Sequence, residues 1–183
     1  VVAWGRMSRI KIVKWLVNIY ISIMRGTPLM LQVMAIYFGP SYLLKIQISR
    51  DYRFYAVIIS FVLNYAAYFA EIYRSGIESM PRGQYEAANM LGYNKAQTFM
   101  KIILPQVIKR ILPSITNEVI CLVKDTSLAF SIAYMEMFSI AKQIASSTSS
   151  LTPFFVAGVF YFVFNALVAW IMGLIEKKLS YYR

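Results

Sequence analysis

Histidine is absent from the 183-residue chain, and Cys121 is its single cysteine. An intrachain disulfide and the usual Cys/His metal sites are therefore excluded. A Ser/His/Asp or Cys/His nucleophile system is excluded as well, because both need an imidazole base. No Walker-type glycine loop occurs, so any ATP must be handled by a partner. Acidic residues are scarce, eight against nineteen basic ones, which leaves a net charge of +11. No fixed-period repeat is present. The chain opens Val1-Val2 with neither a methionine nor a signal-peptide pattern, so a native segment ahead of Val1 is expected.

Apolar surface is what the chain has in excess. Hydrophobic residues make up 59% of it, and the mean hydropathy is +0.56. Soluble domains hold roughly 45–50%, so the composition predicts an all-α membrane protein. On such a chain, positive charge marks cytoplasmic loops or an anionic lipid surface. A nucleic-acid binder would gather its charge into one patch. Four apolar spans are expected: Pro28 to about Ile46, Phe54 to about Ile72, Ile111 to about Phe138, and Pro153 to about Ile175. Thr27 is placed to cap the first span, with Pro28 in its first turn. Gly39-Pro40 is expected to kink or shorten that span, and Pro105 and Pro113 to bend the third as it enters the membrane. Ahead of the spans, Val13, Leu16, Val17 and Tyr20 recur at helical spacing among basic residues. This reads as an amphipathic helix in the membrane interface, or else as the tail of a membrane helix.

The basic residues segregate. Fourteen of the nineteen lie in 1–25, 74–110 and the C-terminal segment; the 45–53 and 139–152 loops hold four, and Lys124 is the last. The positive-inside rule then places the 74–110 segment and the C-terminus in the cytoplasm.

Two spans carry polar groups that lipid cannot satisfy. Asn64, Tyr68 and Glu71 share one helical face by their i, i+4, i+7 spacing. Such a stripe faces a water-filled path or glues helices together. Glu71 and Arg74 are spaced to pair. In the third span, Glu118 and Asp125 share a face and Lys124 lies beside it. Asp125, Thr126 and Ser127 are placed to hold a helix break, as discontinuous membrane helices do around substrate sites. Asn165, in the last span, reads as packing.

The most organised stretch is polar and runs from Arg82 to Pro105, RGQYEAANMLGYNKAQTFMKIILP. It reads as two short helices. Pro81 suits the first turn, Gly92 a left-handed end, and Asn94 with Gln97 a capping box. The expected product is a knob of Ala87, Ala88 and Leu91 that fits a groove on another protein. An ordinary helical hairpin lying on the membrane has the same local features.

Glu86-Ala87-Ala88, then Gly92 after three intervening residues, then Ile102, Leu104 and Pro105 after nine more, resemble the EAA loop of ABC importer permeases. Arg25-Gly26-Thr27-Pro28, the run from Asn64 to Tyr68 with Ala70-Glu71-Ile72 and Arg74, Gly83-Gln84, and Lys124-Asp125-Thr126-Ser127-Leu128 are similar, in order, to the polar amino acid permeases of that group. The resemblance implies a helical permease bundle of five helices, the first preceding Val1, with residues 1–183 forming a single permease domain and 82–105 its coupling loop. It implies a multi-pass protein of the bacterial cytoplasmic (inner) membrane. The implied partners are two ATPase subunits, a second permease subunit, identical or different, and an extracytoplasmic substrate-binding protein. The chain itself would be non-catalytic and without a cofactor, ATP and Mg being held by the ATPases. Glu86 to Gly92 would dock in a groove of the ATPase, tied to the next helix by Ile102, Leu104 and Pro105, and drive alternating access.

The implied cargo is a polar amino acid, whose zwitterion needs partners of both signs. Glu71, Glu118 and Asp125 with Lys124 are the candidates, and Asn64, Tyr68 and Ser127 complete the expected pathway. A gradient-driven secondary transporter or channel using the same carboxylates is the alternative reading, and it would need no docking loop.

Overall fold

The computed structural model describes residues 2–7, 10–45 and 47–179 of the chain. Arg9, Ile46 and Arg183, which entered the charge and span assignments above, lie outside the described residues. Every regular element among the described residues is helical.

Helix α1 (Val2–Arg6) and the amphipathic α2 (Lys11–Gly26) lead into α3 (Leu29–Leu44). The axes of α2 and α3 meet at 108°. This corner is built by polar side chains at the Thr27-Pro28 break. Thr27 Oγ1 donates to the Ile23 carbonyl at 2.7 Å, and Gln32 Nε2 donates to the Met24 carbonyl at 2.9 Å and to Thr27 Oγ1 at 2.8 Å. Thr27 therefore closes α2 instead of capping α3, which begins at Leu29 with Pro28 as its cap residue. Pro40 lies inside α3 and does not end it.

Helix α4 (Tyr52–Glu78) is the hub and packs against α1, α2, α3 and α7. Its buried seam is mostly small, Ala56, Ser60, Ala67, Ala70 and Gly76, with Asn64 and Tyr65 at its middle. Small residues let membrane helices approach closely where no hydrophobic drive between them exists. A Cβ at Gly76 would stand 2.2 Å from Ile111 Cγ2, so any side chain there forces the α4–α7 crossing to shift.

After α4 come α5 (Arg82–Met90), the three-residue α6 (Lys95–Gln97) and a π-helical turn (Thr98–Ile103), which runs directly into α7 (Leu104–Asp125). Pro105 sits in the first turn of α7, where its missing N–H matters least. Pro113 is accommodated within the helix. The expected single span from Ile111 to Phe138 is broken. α7 stops at Asp125, a 3₁₀ segment covers Thr126–Ile132, and α8 (Met137–Thr148) starts afresh. Glu136 caps α8 by accepting from the Phe138 and Ser139 N–H groups, both at 2.6 Å. The last helix is α9 (Thr152–Leu179).

Two described helices, α4 and α9, are long and apolar enough to cross a membrane unaided, and α2–α3 makes a third only as a bent pair. Of the four expected spans, those at α4 and α9 meet this criterion alone, and the one at α3 meets it together with α2. α3 is only 16 residues long. α7 carries Lys109, Arg110, Glu118, Lys124 and Asp125; of these Arg110 is held by the Ser79 carbonyl and Asp125 by Tyr65.

Candidate functional site

The α2–α3 corner, the middle of α4 and the C-terminal half of α7 enclose a cavity of about 550 Å³. Arg25 and Thr27 line it from the corner, Asn64, Tyr65 and Tyr68 from α4, and Glu118, Cys121 and Asp125 from α7. Glu118, Cys121 and Asp125 succeed each other at three and four residues, so one helical stripe carries all three inward.

Polar contacts hold the walls. Asn64 is buried, and its Nδ2 donates to the Met24 carbonyl at 3.1 Å and to Gln32 Oε1 at 3.0 Å. The amide thus fastens α4 to the corner, the helix-gluing role. Tyr65 Oη donates to Asp125 Oδ2 at 2.8 Å and joins α4 to the end of α7. The Arg25 guanidinium lies 5.5 Å from the centre of the Tyr68 ring, within cation–π range. One cation, two carboxylates, two phenols and an amide therefore border one space.

Of the seven residues expected along the pathway, Asn64, Tyr68, Glu118 and Asp125 line this cavity. Glu71, Lys124 and Ser127 do not. Glu71 is seven residues beyond Asn64, about 10 Å along the helix axis, and there it pairs with Arg6 Nη1 at 2.6 Å and with Arg74. Arg74 also bridges to Glu78, which makes a structural ion-pair cluster between α1 and α4. Lys124 is six residues from Glu118, which turns it well off the cavity stripe, and it is exposed. Ser127 lies beyond α7 in the 3₁₀ segment, and its hydroxyl donates to the Lys124 carbonyl at 2.8 Å. Sequence reasoning missed Arg25, Tyr65 and Cys121. Arg25 stood in a recognised motif but was counted as a loop charge; only the 108° corner turns it inward.

The knob forms largely as its residues predict. Gly92 adopts φ +78°. The Gly92 N–H donates to the Asn89 carbonyl at 3.0 Å and the Tyr93 N–H to Ala88 at 3.1 Å, the paired bonds of a Schellman ending. Asn94 Oδ1 accepts from the Gln97 N–H at 2.9 Å, and Gln97 Oε1 accepts from the Asn94 N–H at 3.0 Å. Pro81 is the residue before α5, one position earlier than expected.

The docking face needs correction. Ala88 is 1% exposed and packs inward, so it belongs to the knob's own interior. Glu86 and Ala87 are exposed, and Met90 and Leu91 project at 90% and 75% exposure. Below them Ile103 is fully buried with Met80, Val107 and Ile111, while Ile102 packs beside this cluster. Leu104 is half-buried and Pro105 exposed.

Comparison with known proteins agrees with this architecture. The family described as binding-protein-dependent transport system inner membrane component matches residues 1–181. An L-cystine transport system permease protein (TcyL) of Bacillus subtilis is 38% identical over 182 residues, covering 97% of this chain and 76% of its own length. An arginine transport system permease protein (ArtQ) of the same organism is 38% identical over 167 residues, covering 91% and 75%. The crystal structure of an amino acid ABC transporter with histidines superposes at a TM-score of 0.86 with 34% identity, over 97% of this chain and 81% of that one. An inward-facing structure of the MetNI methionine ABC transporter shares the fold at a TM-score of 0.75 and 17% identity, over 97% and 82%. The chain belongs to the family of inner membrane components of binding-protein-dependent transport systems, and it has the permease fold of an amino acid ABC transporter.

Proposed function

We propose that this chain is the non-catalytic permease subunit that carries a polar amino acid through the membrane, driven by a separate ATPase seated on residues 82–105. The observation that supports this most is continuity. α6, the π-turn and α7 form one uninterrupted helical run from Lys95 to Asp125, and the hydrogen-bonded turn at Gly92 with the Asn94–Gln97 capping box ties α5 to its start. A push on Met90 and Leu91 therefore passes through one short, fully bonded turn before it reaches the helix that carries Glu118 and Asp125. A gradient-driven carrier has no use for such a shaft, and membership of a binding-protein-dependent family removes that alternative. In the same reading the knob and the C-terminus face the cytoplasm, and residues 1–183 act as one domain. A binding protein delivers cargo from the opposite side, and a second permease subunit completes the pore.

The cavity suits the cargo. Relatives are named for cystine and arginine transport, and both amino acids present a carboxylate and an ammonium on one carbon. Arg25 offers the carboxylate a cation, and Glu118 and Asp125 offer the ammonium anions, with Tyr68 adding its ring face. This replaces Lys124 by Arg25 as the cationic partner.

The test is co-purification of the ATPase with the full-length permease carrying Met90→Asp and Leu91→Asp. Both side chains are solvent-exposed, so the variant should insert and fold normally yet lose the ATPase and uptake together. Normal ATPase association and normal uptake would refute the docking face.

A further inference from the structure

A second cavity, about 800 Å³, lies where the end of α4, the π-turn and the start of α7 meet. Lys101, Lys109 and Arg110 line it, with Met80, Ile102 and Pro105 supplying apolar wall and no carboxylate among its lining residues. Its geometry is fixed from both sides. Arg110 Nη1 donates to the Ser79 carbonyl at 2.6 Å, and Gln106 Nε2 donates to Gln84 Oε1 at 3.2 Å and to the Ile102 carbonyl at 2.8 Å. Lys101 Nζ stands 5.8 Å from the Tyr93 ring centre, within cation–π range.

Depth follows from helix geometry. Tyr65, at the transport cavity, is the midpoint of α4, and Ser79 is fourteen residues further, about 21 Å along the axis. Lys109 and Arg110 precede Glu118 on α7 by about 12–14 Å. The hydrocarbon half-thickness is about 15 Å. With the midpoint of α4 placed at the bilayer centre and the helix upright, the basic cavity sits where hydrocarbon gives way to headgroups, and its rim is apolar on one side and cationic on the other.

We infer that Lys101, Lys109 and Arg110 bind the phosphodiester of one anionic phospholipid, whose glycerol and upper acyl chain rest on Met80, Ile102 and Pro105. Three cations at a membrane boundary attract an anionic headgroup far more than a zwitterionic one. The site straddles the π-turn, so the bound lipid braces the shaft between knob and transport cavity. A soluble phosphate has the same charge chemistry but no use for the apolar wall.

The experiment uses the assembled, detergent-purified transporter with the full chain. Thermal midpoints are recorded with dihexanoyl phosphatidylglycerol, dihexanoyl phosphatidylcholine or inorganic phosphate, and lipids that co-purify are counted by native mass spectrometry. Phosphatidylglycerol should raise the midpoint by about 2–4 °C, while phosphatidylcholine and phosphate do not. Lys101→Gln with Lys109→Gln should abolish the rise and lose one bound phosphatidylglycerol per permease chain. Lys101→Arg with Lys109→Arg should keep both, as should Lys95→Gln, a loop cation outside the cavity. An equal rise with phosphatidylcholine, or an undiminished one in the double glutamine variant, overturns the site. An equal rise with inorganic phosphate overturns the lipid as its ligand. Neither readout involves uptake, so failure of the lipid site leaves the transport reading untouched.

Discussion

Glu118 and Lys124 are six residues apart on one helix, and the structure separates their fates. Glu118 faces the cavity; Lys124 points away and is exposed. Glu118→Gln keeps the shape and removes one charged partner for the cargo's ammonium, which is worth about 1.5–3 kcal/mol. The expected result is a KM for uptake raised about tenfold or more at unchanged thermal midpoint. Lys124→Gln should leave KM as it was, and transport assays on both variants decide the point. Legibility at this scale was uneven. Helical spacing alone found Asn64, Tyr68, Glu118 and Asp125, because those lie on straight helices. Glu71 was misassigned because spacing is blind to what occupies the next turn, where Arg6 reaches it from another helix. Arg25 was overlooked because its direction depends on a corner between elements.

At the scale of elements, the knob was the most legible part of the chain. Its capping signals are local, so Gly92 and the Asn94–Gln97 box follow from neighbours in sequence. Ala88 was placed on the wrong face because its burial depends on the π-turn, which has no signature in the sequence. Gly92→Val forces a branched side chain into the left-handed region, at a cost of about 1–2 kcal/mol. The α5–α6 turn should then open and uptake fail while the permease still accumulates in the membrane; uptake measured against membrane content distinguishes this from misfolding. The α4–α7 crossing makes a second element-scale claim. Gly76→Ala drives its methyl into Ile111 Cγ2, and overpacking of this kind costs about 1–3 kcal/mol. Its thermal midpoint should fall by several degrees, and Ile111→Ala in the same chain should recover part of the loss. Additive losses would show that the two residues do not meet.

For the whole molecule, the sequence carried the fold class and the charge asymmetry but not the division into spans. Hydropathy marks α4 and α9, which are long and apolar enough to cross a membrane unaided. It under-reads α3, which is short and carries Gln32 bonded to Asn64 of α4, and α7, whose Asp125 is held by Tyr65 of α4. The proposed orientation is open to direct measurement. With Cys121 replaced by serine, a cysteine at Ser149 should react with a membrane-impermeant maleimide on intact cells. A cysteine at Lys95 should react only after the membrane is opened. Both positions are exposed, so labelling in the reverse pattern would invert the topology.

The transport cavity also acts as an electrometer. With both carboxylates ionised, Arg25, Glu118 and Asp125 leave it one negative charge in excess. A zwitterionic guest preserves that excess. A guest with a basic side chain cancels it, and one with an acidic side chain doubles it. Inside a protein, where charges interact more strongly than in water, these three outcomes differ in electrostatic free energy. If the cavity carries the cargo as proposed, the corner that turns Arg25 inward ranks amino acids by net charge: basic first, neutral next, acidic last.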